Sequence, residues 1–172
     1  GPAARRLRAG PDVSRNPDTG KLYPNKPPGA TLFALPAYGL ASWQKAPGLT
    51  DLKTLTLWAI VLTGWLPTVL ILLMAWAFFG TTSSVALGFA LLLYGVGSPA
   101  ASYAQLFYGH QLAACCLFAG IGLLCRAQRT GSTIGAMFGG VAAGTALLVE
   151  YGAGFAGLPI GIYLLTGVRK SG

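Results

Sequence analysis

The chain has 172 residues, of which 53% are hydrophobic and 9% charged. A water-soluble domain carries roughly 25% charged residues, so a chain this poor in charge, with its apolar residues in long runs, belongs to the membrane class. The net charge of +8, from 12 Lys+Arg against 4 Asp+Glu, gathers in the first fifty residues and at the ends of apolar runs. It reads as a topology signal and an attraction for anionic partners. No basic face interleaved with aromatics at helical spacing is present, which excludes nucleic-acid binding.

Residues 1–30 are polar, basic and rich in Pro and Gly, with turn signals at Asn16-Pro17, Asp18, Gly20 and Pro27-Pro28. This segment predicts a loop that the membrane domain or a ligand must order. It opens on Gly-Pro and then Ala3-Ala4-Arg5-Arg6, with no apolar run close behind, so it is not a signal peptide. The chain reads as a fragment, its partner being a missing N-terminal membrane helix or other subunits.

Residues 30–43 are apolar but too short to span, are interrupted by Pro36, and carry Tyr38 and Trp43. They predict an interfacial helix or a re-entrant piece. A polar turn over 44–54 closes an outer region, residues 1–54, before a transmembrane bundle over 55–172.

Within that bundle the spacing predicts about five membrane helices: Leu55 to Phe79, Val85 to Val96, Gln111 to Leu124, Ile134 to Val149 and Gly154 to Val168. Pro67 should kink the first. Gly97-Ser98-Pro99 ends the second, and residues 98–110 read as an interfacial segment. The fold class is therefore all-α: a polytopic helical bundle with an interfacial helix and an N-terminal outer loop. Three pairs of glycines four apart, Gly135/Gly139, Gly140/Gly144 and Gly157/Gly161, predict close helix packing without any chemical role.

Arg126 and Arg129 after the third span, and Arg169 and Lys170 after the fifth, should face the cytoplasm. Threading back places His110, Glu150 and the 1–54 region on the outer side. The basic character of that outer region runs against the rule, which is weaker for long loops.

Few residues in this chain can do chemistry. Lys26 sits in Tyr23-Pro24-Asn25-Lys26-Pro27-Pro28-Gly29. Prolines hold the strand extended, Gly29 permits close backbone approach, and the amine is a compact charge suited to a phosphate. The same pattern suits a lysine attracted to lipid headgroups at the interface. His110, the one histidine, can hydrogen-bond a sugar or phosphate, shuttle a proton, or simply cap a helix. Glu150, the one acid of the apolar half, must face a polar cavity or the membrane edge, because a carboxylate in hydrocarbon is costly. Cys115, Cys116 and Cys125 read as small buried residues, and no metal-ligand spacing, phosphate loop or nucleophile elbow occurs.

The run LYPNKPPGATLFALPAYGL resembles the motif after the first outer loop of GT-C glycosyltransferases, the polytopic enzymes of the protein O-mannosyltransferase and aminoarabinose-transferase type (glycosyltransferase family 39 and relatives). Ser98-Pro99 through Tyr103 and Leu106-Phe107-Tyr108-Gly109-His110 are similar to an outer segment of that family. Gly139 to Pro159, with Val149-Glu150-Tyr151, resembles its later small-residue helix pair. The resemblance implies a transferase that moves a sugar from a polyprenyl-phosphate donor to an acceptor hydroxyl on the outer face of a bacterial inner membrane.

It also implies a donor-phosphate contact at Lys26 with Tyr23 beside it, and a substrate cavity at His110, Glu150 and Tyr108. The catalytic base would be an aspartate of the first outer loop. Asp12 and Asp18 are the acids in the part of that loop present here, but neither stands in the family's acidic motif. No cofactor or metal is implied. Two other classes stay open: a structural subunit of a larger membrane complex, and a transporter of a lipid-linked substrate, against which the lack of ionisable groups in the first, second and fifth spans counts.

Overall fold

The computed structural model describes residues 13–24, 26–44, 52–80 and 84–168. Asp12, Arg169 and Lys170, and most of the turn expected over 44–54, lie outside the described residues.

Where a loop was expected, residues 13–24 form a hairpin. Strand β1 (Val13–Arg15) pairs antiparallel with β2 (Leu22–Pro24), Ser14 opposite Tyr23. The turn between them is held locally: Asn16 Oδ1 accepts from the backbone N–H of Asp18 at 2.8 Å and of Thr19 at 3.0 Å. This is the asparagine turn that mimics a backbone turn. Gly20 takes φ +68°, the left-handed conformation that glycine adopts without a steric penalty. The hairpin ends at Pro24, two residues before Lys26.

Helix α1 (Gly29–Gln44) continues through Pro36 instead of stopping there. Pro36 is on the exposed side. The opposite face is a stripe of small residues, with Ala37 and Ala41 wholly buried. Inward packing of that stripe outweighs the hydrogen bond that proline cannot make. Leu32, Phe33, Leu35 and Trp43 point outward and stay exposed.

Helix α2 (Leu52–Ile60), a π-helical turn (Val61–Trp65) and α3 (Leu66–Phe79) form one unbroken rod of 28 residues. The wide turn lies just before Pro67. It absorbs the missing N–H and the steric conflict with the preceding turn. Within it Thr63 is fully buried, its hydroxyl donating to the Ala59 carbonyl at 2.8 Å. Gly64 meets α5 (Pro99–Ala104), where an added Cβ would lie 2.3 Å from the Ala104 carbonyl oxygen.

Between these comes α4 (Ser84–Gly97). Ser98 then caps α5 by accepting from the Ala100 N–H at 3.1 Å. Helix α6 (His110–Thr130) turns at Gly131, φ +66°, into α7 (Thr133–Val149), whose first turn is capped by Ser132 accepting from the Gly135 N–H. A 3₁₀ turn (Tyr151–Ala156) leads to α8 (Gly157–Val168), which returns along α6, with Gln128 Nε2 donating to the Leu164 carbonyl at 3.2 Å.

The most extensive helix pairing is α6 against α7. An added Cβ at Gly120 would lie 2.9 Å from Ala143 N, and one at Gly139 would lie 2.8 Å from Leu124 Cγ. Here the small-residue expectation needs a correction. Gly139 makes the close approach and Gly135 borders it, but Gly140, Gly144, Gly157 and Gly161 face open space. The partner glycine is Gly120 of α6, which the four-residue spacing does not reveal because it lies on another helix.

Inside the bundle, Gln111 is 4% exposed. Its amide donates to the Ala100 carbonyl at 3.0 Å, and its oxygen accepts from Tyr94 Oη at 3.0 Å. One side chain thereby joins α4, α5 and α6.

The fold is thus mostly helical. Among the described residues, two helices are long and apolar enough to cross a membrane, Leu52–Phe79 and His110–Thr130. The helices over 84–97, 133–149 and 151–164 are apolar but shorter.

Candidate functional site

Three segments of chain converge at the end of the bundle where α6 begins. The first is Lys26 to Thr31, the entry into α1. The second is Phe107 to His110, the entry into α6. The third is Val149 and Glu150, the exit from α7. Together they enclose a cavity of about 300 Å³.

Two glycines make this convergence possible. An added Cβ at Gly29 would fall 2.5 Å from the Leu148 carbonyl oxygen. One at Gly109 would fall 2.9 Å from Val149 Cγ1 and 3.0 Å from its carbonyl oxygen. Any larger residue at either position would push its segment off α7 and open the cavity floor. Val149 and Ala30 of the lining also belong to a small core with Leu112 and Ala113.

His110 Nδ1 lies 3.2 Å from Glu150 Oε2. Both side chains are about two-fifths exposed, which leaves them open to a ligand. Helix electrostatics explains neither placement. Glu150 caps the C-terminus of α7, where the macrodipole disfavours an anion, and His110 starts α6, where it disfavours a cation. The pair holds the imidazole in one orientation. With Nδ1 turned to the carboxylate, Nε2 remains for a substrate.

Aromatic rings hold the imidazole from the side. Tyr103 stacks edge-on to it with ring centroids 4.7 Å apart, Tyr108 lies at 5.7 Å, and the two tyrosines meet at 6.4 Å. The cavity also has a still more apolar neighbour. A cleft of about 380 Å³ runs between α1 and α2 past Leu35, Tyr38, Leu55 and Ala59, and it shares Thr31 and Phe107 with the cavity wall.

Of the residues singled out from sequence, Lys26, Tyr108, His110 and Glu150 line this one cavity. Tyr23 does not: it is exposed on β2. Asp18 is exposed in the hairpin turn and is also absent from the lining. Thr31, Phe107 and Tyr103 belong to the site, but the sequence carries them only within longer runs and gives none of them a role. Thr31 and Phe107 become visible only because the cavity and the apolar cleft meet at them.

Compared with protein-family models, with curated proteins and with solved structures, the chain matches none of them.

Proposed function

We propose that this chain is the membrane-embedded part of a GT-C-type glycosyltransferase, with five of its helices crossing the bilayer and the Lys26 cavity on the outer side. The single observation behind this reading is that a cation, a histidine–carboxylate pair and a tyrosine meet in one cavity beside an apolar cleft. That combination fits a ligand with a phosphate head, a sugar and a hydrocarbon tail.

Supporting the membrane reading, only 28% and 33% of the most apolar windows of the two long helices are buried. Their outward faces are apolar, as are Val85 at 81% and Phe155 at 88% exposure, and such broad exposed apolar surface suits lipid contact.

In this mechanism an acceptor hydroxyl attacks the anomeric carbon of the donor sugar. The C–O bond to the polyprenyl phosphate breaks, and the phosphate leaves with the electron pair. Lys26 neutralises the charge that grows on it. His110, oriented by Glu150, hydrogen-bonds the sugar or the acceptor. An aspartate takes the hydroxyl proton. Among the described residues Glu150 is the one carboxylate in the cavity wall, and its engagement with His110 suits it to orientation. The base is therefore expected outside the described residues.

The test is binding of polyprenyl monophosphate, and of the corresponding prenol, to the full-length protein in nanodiscs. The phosphate should bind tighter than the prenol by tenfold or more, and Lys26→Ala should erase that preference, as the loss of a charge-assisted contact predicts. Equal binding of phosphate and alcohol by the wild type would overturn the donor-phosphate role.

A further inference from the structure

The opposite end of the bundle carries a second feature that the proposed transferase chemistry does not use. Helix α6 has 21 residues and so extends about 30 Å at 1.5 Å per residue. His110 stands at one end of it; Arg126 and Arg129 stand at the other.

There, α3 and α6 diverge around an open groove of about 630 Å³. Phe78, Phe118, Ile121 and Gly122 form its apolar part, and Arg126 and Arg129 stand at its mouth. The rings of Phe78 and Phe118 are 5.9 Å apart. Gly122 lets the Phe78 ring lie against α6, because an added Cβ would lie 2.4 Å from Phe78 Cε2 and turn the ring aside. The arginines are three residues apart, so they project from one face of the helix. Both are exposed. Among the described residues neither is ion-paired; of the acids there, Glu150 pairs with His110 across the bundle and Asp18 sits in the N-terminal hairpin.

We propose that this groove is a site for an anionic phospholipid of the leaflet opposite the Lys26 cavity. The two guanidinium groups clasp the headgroup phosphate, and an acyl chain lies over Phe78 and Phe118. Charge complementarity selects the occupant. A zwitterionic lipid would bring its own ammonium beside two adjacent cations and no net counter-charge, and a free phosphate would leave the apolar groove unfilled. Arginine gives planar, two-pronged recognition of phosphate oxygens, and each basic group near an anionic leaflet adds to the attraction. The occupant would bridge α3 and α6.

The experiment compares phosphatidylglycerol with phosphatidylcholine on the full-length protein, with native mass spectrometry reading retained lipid and thermal scanning reading the fold. Phosphatidylglycerol should be retained roughly tenfold or more over phosphatidylcholine. R126Q/R129Q should abolish this preference, while R126K/R129K, which keeps the charge, should retain part of it. Binding of polyprenyl phosphate at the Lys26 end should be unchanged in both variants, so this site and that one can fail separately. Equal retention of the two lipids, or an R126Q/R129Q protein that still prefers phosphatidylglycerol, would overturn the proposal. So would stabilisation by inorganic phosphate alone that matches the lipid's.

Discussion

His110 and Glu150 come from the beginning of one helix and the end of the next, and meet with Nδ1 3.2 Å from Oε2. The antiparallel packing of α6 on α7 creates this contact. Gly120 and Gly139 set its spacing by letting the two backbones approach. A pair this exposed contributes little to stability, because solvent screens the attraction. Its value is in orienting an imidazole at a cavity wall.

That distinction can be measured. In a double-mutant cycle, His110→Gln and Glu150→Gln should couple by less than about 1 kcal/mol in unfolding free energy. In the proposed sugar transfer each single variant should lose roughly a hundredfold, and the double variant should be little worse than either, because the residues act as a unit. Additive losses in turnover would show that the two side chains work independently.

The glycines give a prediction that separates contact from composition. Gly64→Ala should destabilise the bundle by about 1–3 kcal/mol or more, since its Cβ would strike backbone. Gly140→Ala has nothing within 4 Å and should be neutral or stabilising by up to about 1 kcal/mol through helix propensity. Thermal unfolding in one detergent ranks the two. Equal melting temperatures would contradict the packing described between the π-helical turn and α5.

Gln111 joins three helices through a buried amide. Gln111→Leu should cost about 1–3 kcal/mol, because Tyr94 Oη and the Ala100 carbonyl lose their partner. Adding Tyr94→Phe should recover part of that loss by removing one orphaned group. Chemical denaturation of the single and double variants reads both effects, and a double variant weaker by the full sum would refute the shared network.

The proposed threading assigns each end of the bundle to one side of the membrane. In a background with Cys115, Cys116 and Cys125 replaced by Ala, a cysteine at position 152 should react with an impermeant maleimide applied from outside. One at position 130 should react only after the membrane is opened. Reaction of both from one side would rule out an odd number of crossings between them.

Much of this architecture is legible in the sequence. Apolar runs near membrane length announce helices over 55–79 and 111–124. The helices over 85–96 and 134–149 follow from the same signal, because local hydrophobicity and the lack of charge act residue by residue. Counting spans also puts Lys26, His110 and Glu150 at one end. The hairpin is not legible, since strands of three residues carry no periodic signal and its order comes from the Asn16 side chain. Nor is the continuity of α1 through Pro36, which depends on a face of alanines finding α2 and α7.

Tertiary structure alone decided which glycines touch a neighbour, because a four-residue spacing marks a stripe without saying what lies opposite it. It also decided that Tyr23 and Asp18 stay outside the cavity while Thr31 and Phe107 enter it. Hydrophobic patterning sets which segments become helices and which end of each is polar. The contacts among those ends depend on backbone approach at Gly29, Gly109, Gly120 and Gly139, where the absence of a single carbon permits three distant segments to close around one space.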